Sequence, residues 1–228
     1  MMEQITSRDN PKVRQVIKLQ TNRRAREKEG LFCCEGEKLL REALSSGIQV
    51  EQVFLSEDLP QAEALELGPK TYRVPRRLME QMSGVESPQG VLFVCRRPQL
   101  AASIPQGCCL VLEDVRDPGN VGTVVRTAEA LGVPVLLTGS CADLYQPKTI
   151  RATMGSIFRA DVRQVERDVL WAQWAEQGTA AYAAALTPQA KDIRQVDLRQ
   201  AAVVVGNEAQ GVSPAMQQHC GGQVIIPI

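Results

Sequence analysis

Apolar positions along the chain change period more than once, and the changes mark out elements. Residues 11–28 carry apolar side chains at helical spacing in a basic background, with Asn10 placed to cap and Pro11 at the first helical position. A single basic helix over Pro11–Lys28 is predicted. Leu31–Cys34 is a short apolar run, and Leu39, Leu40, Ala43 and Leu44 give helical spacing that Gly47 ends. Val50–Leu55 reads as a strand. An acidic, Ala/Leu-rich helix follows, then a strand at Thr71–Val74, a short helix over Arg76–Ser83 and a closing strand at Val91–Cys95. These pieces form a small α/β/α unit.

Beyond Arg96-Arg97-Pro98-Gln99 the pattern becomes strictly βα. Continuous apolar runs at Cys109–Val115, Val133–Thr138, Thr179–Leu186 and Ala201–Gly206 read as buried strands. Phe158–Val165 and Gln223–Ile228 read as further strands. Helices are predicted over Val121–Leu131, over Lys148–Ile157 behind Pro147, over Leu170–Glu176, and from Ser213-Pro214. Buried strands alternating with helices imply a parallel sheet covered on both faces. The fold expected is α/β, with one domain at 1–97 and a parallel-sheet domain at 105–228. No internal repeat or low-complexity tract interrupts either.

Composition narrows the class. The chain has 228 residues, 44% hydrophobic and 23% charged, as in an ordinary soluble protein. No apolar run approaches a membrane span, and the opening residues lack the apolar core of a secretion signal. A cytoplasmic location without membrane association is therefore expected. Seven cysteines without regular spacing argue for free thiols in a reducing compartment rather than a zinc site or disulfides. The net charge is zero, yet residues 1–28 hold eight Lys/Arg against three acids. That leading surplus suits phosphate partners as well as a merely solvated helix face.

In a parallel sheet, ligands bind beyond the carboxyl ends of the strands. Three segments lie there, the third being Val224–Ile228, which by itself reads only as a buried strand, and two loops carry the special residues. Glu113–Gly122 follows a buried strand and opens a helix, with Asn120 placed to cap it and Gly119 and Gly122 permitting close backbone approach. That helix has an apolar stripe of Val121, Val124, Val125, Ala128 and Leu131, and Arg126 lies opposite it. Gly206–Ser213 brackets Asn207 and Glu208 with Gly206 and Gly211, which suits a polar ligand held largely by main chain. Each loop alone is equally a capped turn, and Arg126 alone is a surface arginine. The lone histidine, His219, sits in a polar stretch and reads as a surface residue. No P-loop, dinucleotide fingerprint or metal-ligand spacing occurs.

Taken together, the motifs resemble the SpoU-type (TrmH-like) RNA ribose 2′-O-methyltransferases of the trefoil-knot class. Leu112–Ala128 is similar to the family's first motif, through Glu113, Asp117, Pro118, Gly119, Asn120, Gly122 and Arg126. Val203–Ser213 is similar to the second, and Ala152–Arg159 to the segment between them. Ile5–Val13 and Cys34–Leu40 resemble the ribosomal-protein-like substrate-binding domain of this group. The resemblance implies S-adenosylmethionine as donor, RNA as partner and a homodimer. It implies catalytic roles for Asn120, Arg126 and Glu208, and a cofactor pocket at Thr138, Gly139, Gly206, Asn207, Gly211 and Ile226. RNA contacts are expected from Arg8, Lys12, Arg23, Arg24, Arg26 and Arg151, with ribosomal RNA favoured over transfer RNA and no metal. With aromatics at 4%, electrostatics should outweigh base stacking.

The family's chain continues past its Ile-Pro-Ile strand into a third motif that threads the knot and completes the pocket. This sequence stops at Ile228, so the expectation is a domain C-terminally incomplete as given, its tail present in the natural protein. A non-catalytic RNA-binding or ribosome-assembly factor is the rival reading, with base methylation and a transfer-RNA target as further alternatives. A guanidinium is a poor proton acceptor, so phosphate clamping by Arg126 is favoured over a role as base.

Overall fold

The computed structural model describes residues 3–59, 70–85, 87–99 and 103–227. The expected acidic helix falls largely on residues 60–69, outside the described residues. Two compact units emerge, one of residues 1–98 with 143–158, the other of residues 99–142 with 159–228.

The first unit holds β1 (Glu3–Gln4), α1 (Pro11–Thr21), α2 (Arg23–Glu29), β2 (Leu31–Glu35), α3 (Glu37–Ser46), β3 (Val50–Ser56), β4 (Lys70–Val74), α4 (Arg76–Met82) and β5 (Val91–Arg96). Its five-stranded sheet runs β1-β4-β3-β5-β2, antiparallel at β3–β5 and β5–β2 and otherwise parallel. α1 buries Val13, Val16 and Leu19 against Leu31, Cys33, Phe54 and the α4 residues Leu78, Met79 and Met82. Burial of each such side chain is worth about 1.5–3 kcal/mol. Alternation along β2 turns Phe32 to the opposite face, where its ring meets Tyr145 at 4.8 Å and Phe158 at 6.4 Å.

The single helix expected over Pro11–Lys28 is two. Asn10 caps α1 by accepting from the Lys12 N–H at 2.9 Å, as expected. Asn22 then takes extended backbone, ends α1, and accepts from the Ala25 N–H at 3.1 Å to start α2. A side chain that caps well outside a helix competes with continuing through it.

The second unit holds β6 (Cys109–Glu113), α5 (Pro118–Ala130), β7 (Val135–Thr138), β8 (Val162–Gln164), α7 (Arg167–Gln177), β9 (Ala180–Ala184), β10 (Lys191–Asp192), β11 (Ala201–Val205), α8 (Pro214–Gln218) and β12 (Gly222–Ile225). Between β7 and β8 the chain lends α6 (Pro147–Thr153) and a 3-10 turn at Ser156–Phe158 to the first unit. The seven strands lie in the order β10-β12-β9-β11-β6-β7-β8, and every pairing is parallel. β10 was not anticipated. Leu136, Leu170, Trp174, Ala183, Val204 and Met216 are among its core.

Register determines what meets at the sheet's carboxyl edge. Leu112 of β6 pairs with Val205 of β11, and Glu113 pairs with Thr138 of β7. The loops after β6, β7 and β11 therefore emerge side by side. The described cysteines are free, and five of the seven are buried. Burial pushes the Cys109 thiol up to about 11, which keeps it protonated and inert.

Candidate active site

The loop after β6 is shaped by Asp117. Pro118 stands at the first helical position and Asp117 precedes it as N-cap, accepting from the Asn120 N–H at 2.9 Å. The expected cap, Asn120, thus lies inside α5. Both residue types cap well, and proline at N1 decides between them. With its backbone served by Asp117, the Asn120 amide donates to Glu208 Oε1 at 3.0 Å.

The loop after β11 is closed on itself. Asn207 and Gly211 exchange backbone hydrogen bonds at 3.0 and 2.8 Å, and Asn207 Oδ1 accepts from the Ala209 and Gln210 N–H groups. A Cβ at Gly206 would come within 3.0 Å of Gly211 C and O and Val212 N, all backbone atoms. Only glycine fits there. Gly211 needs it too, at φ +69°.

Glu208 joins the two loops. It accepts from Asn120 Nδ2, from the Asp117 N–H at 3.2 Å and the Arg116 N–H at 3.4 Å, and from Asn207 Nδ2 at 3.3 Å. Asn207 Nδ2 also donates to the Asp114 carbonyl at 3.0 Å. Chiefly through the Asn120 amide and then through backbone N–H groups, the Glu208 carboxyl is held down at about 2. It is a permanent acceptor at neutral pH.

Beside this clasp lies a cavity of about 770 Å³ at the carboxyl ends of β9, β11 and β12. Its walls are mostly apolar, including Leu186, Val205 and Ile226, with Thr187, Asn207, Glu208, Gln210 and Gln217 as polar points. That is the size and character of a small-molecule site. Of the expected cofactor residues, Asn207, Gly211 and Ile226 line it; Gly206 does not, but it lets the loop that does close on Gly211 and Val212. Thr138 and Gly139 are not among its lining residues. Thr138 is buried, with its hydroxyl oxygen unpartnered, at the end of β7.

Arg126 is exposed on the α5 face that also carries Gly119 and Thr123, and it has no ion-pair partner among the described residues. The stripe opposite buries Val121, Val125 and Ala128, but Leu131 at its end is 72% exposed. Arg8, Arg23, Arg24 and Arg151 are exposed on the first unit, and Lys12 stands over the Tyr72 ring at 4.5 Å. Arg26 is a correction. Expected to face RNA, it is 4% exposed, paired with Asp143 at 2.7 Å and donating to the Leu19 carbonyl at 2.5 Å. His219 is exposed, as expected, and stacks on Trp171 at 4.1 Å.

Sequence reasoning placed Glu113 in the first motif but gave it no role, and it is the base of the site. Glu113, 1% exposed, accepts from the Ser213 N–H at 2.8 Å and the Ser213 hydroxyl at 2.7 Å, and from Arg167 Nε at 3.2 Å. A carboxylate ending an otherwise apolar buried strand was the available signal.

A parallel sheet that presents three interlocked loops and a cavity at its carboxyl edge is the arrangement of an α/β protein with a small-molecule site. Residues 107–228 match the SpoU rRNA Methylase family, and residues 10–92 match the MRM3-like substrate binding domain. The chain belongs to the SpoU rRNA methylase family, which catalyses S-adenosylmethionine-dependent 2′-O-methylation of RNA. It is 30% identical to the 23S rRNA (guanosine(2553)-2′-O)-methyltransferase RlmP of Bacillus subtilis, over all of this chain and 91% of that one. An AdoMet-bound rRNA methyltransferase from Sinorhizobium meliloti superposes with TM-score 0.85 at 26% identity, covering 100% of this chain and 89% of that one. The SpoU methyltransferase AviRb from Streptomyces viridochromogenes, in complex with AdoMet, gives 0.82 at 26% identity, covering 96% and 89%.

The residues present fit such a cofactor. The missing side chain at Gly206 lets the loop fold back on Gly211 and Val212, which sets Asn207, Gly211 and Val212 along the cavity wall. Apolar walls with a few amides suit an adenine and a thioether chain better than a bare phosphate.

Proposed function

We propose that this protein methylates a ribose 2′-hydroxyl of ribosomal RNA, working as a homodimer in the cytoplasm, with Arg126 and Asn120 at the reacting end and Glu208 holding the loops that carry them. The Glu208 clasp is the observation that supports this most, because one ionised carboxylate ties the first motif to the loop that rims the cavity. S-adenosylmethionine supplies an activated methyl group whose sulfur departs as a neutral thioether, so no acid is needed on the donor side. Asn207, Gly211 and Ile226 would hold it against the cavity wall, with Gly206 permitting the tight loop that carries the first two and Thr138 and Gly139 bounding the neighbouring loop.

Arg126 is free to grip an RNA phosphate through two N–H groups and so align the hydroxyl, and such alignment is worth several kcal/mol. Arg8, Lys12, Arg23, Arg24 and Arg151 supply phosphate contacts on the first unit, where the substrate-binding match lies. The apolar groove at Val124, Ala128, Leu131 and Val133 is a face that a second copy would cover. Among the described residues no helix is long and apolar enough to cross a membrane. The test is Arg126→Ala. Methyl transfer to ribosomal RNA should vanish while RNA affinity falls by no more than about tenfold, the share of one phosphate contact among several. Near-normal turnover by the variant would refute the assignment.

A further inference from the structure

We propose that Arg167, which lies outside both family motifs, is the positioning residue that sets the geometry of the cofactor loops; the inference rests on the function proposed above. Arg167 opens α7, and its guanidinium reaches two acceptors at once. Nε donates to Glu113 at 3.2 Å and Nη2 donates to the Asp114 carboxylate. These two residues are the hub of the sheet's carboxyl edge. Glu113 receives both donors of Ser213, which ends the β11 loop and caps α8. Asp114 Oδ1 receives the Ser140 N–H at 2.6 Å, from the loop after β7. The Asp114 carbonyl receives Asn207 Nδ2 at 3.0 Å, from the loop after β11. One guanidinium therefore fixes the two carboxylates on which the loops after β6, β7 and β11 all hang.

Three features show that the arrangement is specific. Glu113 is buried, and among the described residues Arg167 is its ion-pair partner. A buried carboxylate without a cation is costly, so the pair is not optional. Asp114 has φ +55°, one of two non-glycine residues with positive φ among those described, a conformation that persists where contacts over-determine it. Gly139, at φ +67°, is packed against the same network: a Cβ there would stand 2.5 Å from Asp114 Oδ1 and 2.6 Å from Arg167 Nη2. Gly139 thus makes room for the arginine, a role distinct from touching the cofactor. A fork is required for two acceptors, which a lysine point charge cannot span in the same way.

The test compares wild type, Arg167→Ala and Arg167→Lys in S-adenosylmethionine titration calorimetry, RNA binding, thermal unfolding and steady-state kinetics. Loosened loops should weaken S-adenosylmethionine binding and raise its KM by about tenfold or more, from a displacement of about 1 Å. RNA affinity should be unchanged, and kcat at saturating donor should fall less than kcat/KM. Arg167→Lys keeps a cation beside Glu113, so it should unfold near the wild-type temperature yet still bind the donor poorly. That split between stability and affinity is what a purely structural arginine would not produce. Wild-type donor affinity in a folded Arg167→Lys or Arg167→Ala would overturn this inference alone. Failure of the wild-type protein to bind S-adenosylmethionine would overturn the proposed function and this inference with it.

Discussion

Gly206→Ala is the smallest change that should empty the cofactor site. The added methyl would stand within 3.0 Å of Gly211 C and O and of Val212 N, closer than real Cβ atoms come to anything. Those neighbours are backbone, so no rotamer change relieves the overlap. The loop must retreat by roughly 1 Å, and the first bonds to go are the paired Asn207–Gly211 hydrogen bonds at 3.0 and 2.8 Å. Each is worth about 0.5–1.5 kcal/mol net, giving a stability loss of about 2 kcal/mol. Function should suffer more than folding, because Glu208 and Asn207 travel with the loop and a 1 Å misplacement can cost about a hundredfold in rate. Thermal unfolding gives the first number, and calorimetry with S-adenosylmethionine gives the second. A Gly206→Ala protein that binds the donor within about twofold of wild type would refute the argument that main chain at this point shapes the pocket.

Arg26 and Arg24 should separate cleanly despite lying two residues apart. Arg26→Ala strands Asp143 and should cost about 3–5 kcal/mol in unfolding experiments. Arg24→Ala should leave stability alone and lower the slope of log affinity for RNA against log salt by about 0.7–0.9. The Glu208 carboxyl lies below its ordinary value of 4.5, at about 2. A lowered folded-state value means that the stability it contributes is complete above 4.5 and is lost as pH falls from there toward 2. The difference in unfolding temperature between wild type and Glu208→Gln should therefore be constant from pH 8 to 5 and close below pH 4.5. A difference that closes near neutrality would contradict the hydrogen-bonded clasp.

The parts legible in the chain were those that depend on local pattern. Apolar runs around Val203–Val205 and Leu110–Leu112, alternating with helical pattern, marked out parallel strands, although Leu110, Val203 and Val205 are only half-buried, and glycine and proline punctuation located both site loops. Where two local signals competed, the reading failed. Asp117 and Asn120 both suit an N-cap, and Asn22 is easily passed over inside a run of good helix formers. Arg26 was counted with its charged neighbours because nothing nearby in sequence marks a partner 117 residues away. The Arg167 network is hidden for the same reason. Its acceptors lie 54 and 53 residues distant, and only the register of β6 against β7 and β11 brings the loops together. Short β10 has too little sequence to carry a period and exists because β12 offers it an edge.

The most direct test of the central claim is to locate the methyl group. Ribosomal RNA incubated with the protein and labelled S-adenosylmethionine would be digested to nucleosides and analysed by mass. The account predicts label on one ribose 2′-oxygen, present with wild type and absent with Arg126→Ala. Label on a base, or equal label with the variant, would contradict it.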